Sequence, residues 1–166
     1  MTSRSLARII ALLALVTACG GSQSPVPVVG RDVDISRLTG QWLGDYSSAE
    51  TGRSGSIVFT LTAGSDTATG DVVMTPQLAR AAAAQVTGQS NAPLPSQTIN
   101  IRFVRVSGGQ VSGALAPYTD PSCSCPLHTT FVGRLMGDTL SGTFSSRHEN
   151  AQDTQSGKWR VVRRSN

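Results

Sequence analysis

The sequence predicts an all-β domain: an eight-stranded, antiparallel up-and-down barrel with one short helix inserted between strands three and four. Three observations predict it. Short segments alternate apolar and polar residues, Gly and Asp turns separate them, and eight such segments follow one another, enough to close a small barrel. The expected strands are 38–47, 55–63, 67–74, 98–106, 110–117, 128–136, 139–146 and 157–164.

Alternation gives each strand two faces. In the second, Ile57, Phe59 and Leu61 oppose Val58, Thr60 and Thr62; in the seventh, Leu140, Gly142 and Phe144 oppose Thr139, Ser141, Thr143 and Ser145. The eighth is less regular, with Trp159, Val161 and Arg163 against Lys158, Arg160 and Val162. One mainly apolar and one mainly polar face describe a half-buried antiparallel strand. An outer-membrane barrel would need longer strands and aromatic girdles, and aromatics make up only 5% of this chain. The helix is expected after Thr75 as cap, with Pro76 at its first position, Leu78, Ala82 and Val86 on one stripe, and Gly88 at its end. It reads as a plug or flap over one end of the barrel.

Loop lengths alternate. The connections Gly64-Ser65-Asp66, Ser107-Gly108-Gly109 and Gly137-Asp138 are tight, while 48–54, 75–97, 118–127 and 147–156 are long. In an up-and-down barrel the four long ones share an end, the expected mouth. Both termini are then expected at the opposite, closed end. Gly44, Gly113, Gly133 and Gly142 fall in phase with inward apolar residues. They either leave a hollow or let the strands coil while larger neighbours fill the space.

The N-terminus carries an address. Arg4 and Arg8 precede an apolar run, Ile9–Val16, under half of the roughly 20 residues a membrane-spanning helix needs. Basic, then apolar, then small is the order of a secretory signal peptide. Val16-Thr17-Ala18-Cys19 resembles the lipobox of bacterial lipoproteins, which implies lipidation of Cys19 as the mature N-terminus. Gly20 after that cysteine resembles the pattern sorted to the outer membrane. The resemblance divides the chain into a signal peptide (1–18), a flexible tether (19–36) rich in Gly, Ser and Pro, and the barrel domain (37–166). The expected localisation is therefore the bacterial cell envelope, at the periplasmic or surface face, with the membrane as a partner through lipid. Removing residues 1–18 lowers the net charge from +4 to +2, because Arg4 and Arg8 leave with them. With no basic run longer than Arg163-Arg164, nucleic acid is not an expected partner.

Leu38-Thr39-Gly40-Gln41-Trp42 resembles the Gly-x-Trp opening of lipocalins and related calycin barrels. That resemblance implies that Trp42 sits at the closed end with an arginine from a late strand packed across it. Arg163 is the expected partner, with Arg160 or Arg164 as substitutes under a different register. Avidins share the Ser-Gly-Thr-Phe texture of 141–144, but with two Trp in the chain their aromatic biotin box is poorly matched. In the calycin reading a small apolar or amphipathic ligand enters the barrel mouth, against Tyr46, Phe59, Met74, Ile101, Phe103, Leu115 and Phe131. The alternative is a filled barrel whose long loops meet a protein partner, as in an inhibitor.

With Cys19 assigned to lipid, Cys123 and Cys125 remain as a pair in an oxidising compartment, where a disulfide is the expected state. The competing reading is a soft-metal site of Cys123, Cys125, His128 and His148. No cofactor is expected. Glu50, Asp120, Glu149 and Asp153 are loop carboxylates beside Arg53 and Arg147, which acid–base chemistry could use only if two met at a substrate. No nucleophile elbow, phosphate loop or dinucleotide fingerprint occurs in the sequence, so the expectation is a non-enzymatic protein.

Overall fold

The computed structural model describes residues 24–75, 96–121, 123–149 and 154–165. They form β1 (Pro25–Val29), α1 (Asp32–Ser36), β2 (Gly40–Ser47), β3 (Ser54–Leu61), β4 (Thr67–Thr75), β5 (Gln97–Ser107), β6 (Gln110–Leu115), β7 (Tyr118–Asp120), β8 (Cys125–Met136), β9 (Thr139–His148) and β10 (Thr154–Arg163). The fold is all-β, and the sheet closes because β10 pairs with β2 and β6 pairs with β8. Eight strands, β2 to β6 and β8 to β10, follow the expected spans. Thr75 ends β4, and the helix expected beyond it lies outside the described residues.

The expected number of barrel strands is corrected from eight to nine: β7 pairs only with β8 and lies outside the ring, and the ninth wall strand comes from the stretch read as a tether. β1 wedges between β4 and β5, antiparallel to β4 at Pro25–Pro27 and parallel to β5 at Val28 and Val29. Val26 and Val28 are 0% and 4% exposed, so Pro-Val-Pro-Val-Val is an alternating core strand. Its prolines fit the hydrogen-bond parity. The Val28 N–H donates to the Asp66 carbonyl on the β4 side (2.7 Å), so the nitrogens of Pro25 and Pro27 face β5, where no ladder has yet begun. Residues 32–36 likewise form α1, with the buried Asp34 carboxylate accepting from Arg31 Nε at 3.0 Å.

The wedge has a cause in β5. β4 and β5 pair directly only from Asp71–Met74 to Gln97–Asn100. A β-bulge between Ile101 and Phe103 then bends β5, and β1 fills the opening toward the closed end. β1 runs parallel to β5, so its N-terminal end points along the wall toward the mouth, with Pro25 beside Thr69. The expectation that the N-terminal segment leaves at the closed end therefore fails; only the C-terminal residues do so.

At the closed end, the Trp42 indole N–H donates to the Leu38 carbonyl (2.8 Å) and its ring is fully buried. The Arg163 guanidinium lies 4.3 Å from the centroid of that ring and donates to the carbonyls of Thr39 and Arg37 and to Asp138 Oδ1. Of the three arginines weighed from sequence, Arg163 is the one that packs there; Arg164 reaches Gln41 instead.

Five inward rings each stand directly opposite a glycine on the neighbouring strand: Tyr46–Gly55, Phe59–Gly70, Phe131–Gly113, Phe144–Gly157 and Trp159–Gly142. A β-carbon on Gly55, Gly113 or Gly157 would collide with its facing ring, and one on Gly133 would collide with Trp159. The rings thus occupy the space the glycines vacate and lie along the wall.

Candidate functional site

The lining rings leave a cavity of about 100 Å³ in the barrel, running from Leu38 near the closed end to Ser48, Thr51, Arg53, Tyr118 and Gln155 at the mouth. Of the seven residues expected to line it, Tyr46, Phe59, Met74, Ile101, Leu115 and Phe131 do. Phe103 does not. The bulge after Ile101 shifts the phase of β5 by one residue, so Val104 and Val106 turn inward and Phe103 leaves the cavity. Trp159 and Phe144 line it as well and were not singled out. Their alternation in the last two strands was the available signal. They complete edge-to-face pairs, Tyr46 with Phe144 (5.6 Å between centroids) and Phe131 with Trp159 (5.9 Å).

The polar groups divide into satisfied and open. The Trp159 indole N–H points into the wall, shared between the carbonyls of Val132 (3.2 Å) and Thr143 (3.1 Å). Tyr118, Thr129 and Ser146 form a hydroxyl chain with separations of 3.1 and 2.6 Å. Tyr46 differs: it is 9% exposed and lines the cavity, and its hydroxyl makes no hydrogen bond to any described residue. Burial first, and then the neighbouring Tyr118, push its pKa well above the ordinary phenol value, against a smaller opposing effect of Arg53. The group is a neutral donor throughout the physiological range.

Three of the four long loops meet at the mouth, as loop parity requires; the fourth falls in 76–95, outside the described residues. Asp120, 0% exposed, pairs with Arg53 and accepts from His148 Nε2 at 2.8 Å. Glu50 clamps the first loop to β10 by accepting from the Ser156 amide (2.7 Å) and hydroxyl (2.9 Å), which lowers its pKa. These contacts join positions up to 106 residues apart.

The cysteine pair caps the same rim. Cys123 and Cys125 are bonded through sulfur with α-carbons 5.2 Å apart, and the amides of Cys123 and Ser124 donate to the Asp120 carbonyl. His148 Nε2 lies 3.7 Å from Cys123 Sγ, and its register partner on β8 is Leu127. His128, one of the four residues in the competing metal reading, is excluded by parity: it follows the fully buried Leu127, so it is exposed on the outer face. His148 reaches Asp120 and Cys123 through the same nitrogen, so the trio lacks the two-nitrogen relay of a Cys–His–Asp nucleophile. Glu149 is exposed, and Asp153 lies outside the described residues.

No known family model matches this chain, and no curated protein matches it in sequence.

Proposed function

We propose that the protein is a non-enzymatic lipoprotein of the bacterial cell envelope, anchored through Cys19, whose calycin-like barrel binds a small neutral apolar or amphipathic molecule entered through the mouth. The observation that carries this reading is the aromatic-lined cavity of about 100 Å³ with the Tyr46 hydroxyl, which makes no hydrogen bond to any described residue. Volume bounds the ligand. Drug-sized sites run to roughly 300–1,000 Å³, whereas an apolar cavity of about 150 Å³ accepts a single benzene ring. At about 100 Å³ the cavity is smaller than either, so a short branched chain fits within it, a compact ring fits with its edge in the open mouth, and an extended acyl chain is not enclosed. Charge bounds it too, since Arg53 at the rim is already paired with Asp120, leaving a neutral acceptor as the partner for Tyr46. With Cys19 lipidated, the six steps to Pro25 reach at most about 20 Å, which holds the barrel against the bilayer surface.

A protein-interaction lipoprotein with the same rim loops is the second reading. The observation on its side is an exposed apolar pair on the outer wall near the closed end, Leu43 and Val162, directly paired and 37% and 42% exposed, which offers a partner a second contact away from those loops. Native mass spectrometry of the lipidated chain from its own host separates the two. A small-molecule mass increment that is lost in Tyr46→Phe supports the barrel ligand. A co-purifying polypeptide with no small-molecule increment supports the second reading and rejects the first.

A further inference from the structure

We infer that Cys123, Cys125 and His148 form a redox-gated site for a soft metal ion, closed as a disulfide and open to zinc-class ions once the two sulfurs are reduced. The donors are already gathered, since the two sulfurs and one His148 ring nitrogen all lie within 4.8 Å of one another. Metal bonds of about 2.3 Å to sulfur and about 2.0–2.1 Å to imidazole give a tetrahedral S···N edge of about 3.6 Å. The observed Cys123 Sγ–His148 Nε2 separation is 3.7 Å. The sulfur–sulfur edge must open to about 3.8 Å by the same geometry, with Cys125 Sγ, within 4.8 Å of the His148 nitrogen, settling at about 3.6 Å from it, and α-carbons 5.2 Å apart allow this by side-chain rotation.

The framework holds these groups from behind. Ser124 at φ 55° makes the tight turn that sets both cysteines on one side of the rim, and the Asp120 carbonyl accepts two of the turn's amides. His148 is fixed by the β8–β9 ladder and by Asp120, whose own charge is met by Arg53. Cys123 is exposed and Cys125 and His148 are half-buried, so an ion has access. Two thiolates and one imidazole favour a soft or borderline ion, and three protein ligands leave the fourth position to solvent.

The chemistry balances with a dithiol as reductant. It delivers two electrons and two protons, the S–S bond breaks, two thiols form, and the dithiol becomes a cyclic disulfide. On binding, both thiols release their protons to solvent. His148, which donates Nε2–H to Asp120 in the closed state, gives up that hydrogen bond, moves to the Nδ1–H tautomer and presents its Nε2 lone pair to the metal, while Asp120 keeps its pairing with Arg53. The two thiolates neutralise the ion, and the Asp120–Arg53 pair keeps its charge balance.

The test uses the full chain carrying Cys19→Ser, so that the rim pair supplies the only thiols among its three cysteines. Oxidised protein, and protein reduced by a dithiol then desalted anaerobically, are each titrated with Zn²⁺ against a chromophoric chelator. The expected result is one zinc per reduced chain and none per oxidised chain. His148→Gln keeps a donor to Asp120 but removes the ligand, and should weaken binding by at least about tenfold. His128→Gln should leave it unchanged. Equal uptake by the two redox forms, no competitive binding by the reduced form, unfolding of the reduced form by circular dichroism, or a His148→Gln titration matching the parent would each overturn the inference. The comparison of redox forms needs no rim substitution, so a misfolded variant does not block it.

Discussion

Asp120→Asn is the most informative single change at the rim. The substitution keeps shape and removes the charge that the Arg53 guanidinium, 12% exposed, meets at a carboxylate site that is 0% exposed. Breaking a buried pair from one side costs about 3–5 kcal/mol, because the surviving charge stays desolvated. Arg53 retains Gln155 Oε1 at 3.4 Å and sits at the rim, so the lower end of that range, about 3 kcal/mol, is expected. In urea, with a slope of about 1–3 kcal/mol/M, the midpoint should fall by about 1–3 M at unchanged slope. In a thermal melt the same loss corresponds to about 9–15 °C. A double-mutant cycle with Arg53→Met should return a coupling of at least about 1 kcal/mol. The pair Arg53→Met with Asp120→Leu should recover most of the loss, since both charges leave the site together. A loss under about 1 kcal/mol for Asp120→Asn, or strict additivity in the cycle, would refute the account of Asp120 as the buried keystone of the mouth.

Arg163→Lys should destabilise the chain by about 1–2 kcal/mol in urea melts, because an ammonium cannot stack on Trp42 and fork to two carbonyls at once. Gly133→Ala should cost about 1–3 kcal/mol and quench or shift Trp159 fluorescence, because the added methyl meets that ring. For Glu50 the sign follows from its lowered pKa. Its contribution is present above the ordinary value of 4.5 and is lost as pH falls through the folded value, so Glu50→Gln should flatten the acid limb of the stability–pH curve there and leave neutral-pH slopes unchanged.

Local alternation and turn chemistry were enough to locate the eight meander strands, because the pleat forces a period of two on any half-buried strand. The same regularity made the mouth legible through loop lengths. It also made six of the cavity residues legible through phase. Where a residue's role depended on a break in that regularity, sequence reading failed. Phe103 has the right parity until the bulge at Ile101 resets it. Pro25 to Val29 has a linker's composition, and becomes a strand because β4 and β5 part and leave a gap that Val26 and Val28 fill.

The rim shows the same division. Both histidines were visible as candidates, but ladder register chose His148 and turned His128 outward. By itself the sequence determined the all-β class, the eight meander strands and the approach of Cys123 to Cys125, since each rests on spacing along one strand or one turn; the Trp42–Arg163 candidates rested on the Gly-x-Trp resemblance. Tertiary structure alone decided the ninth strand, the cavity's size, the open Tyr46 hydroxyl and the meeting of Arg53, Asp120 and His148. Those depend on closing the barrel, which brings together groups 28 and 67 residues apart and is not encoded in any local period.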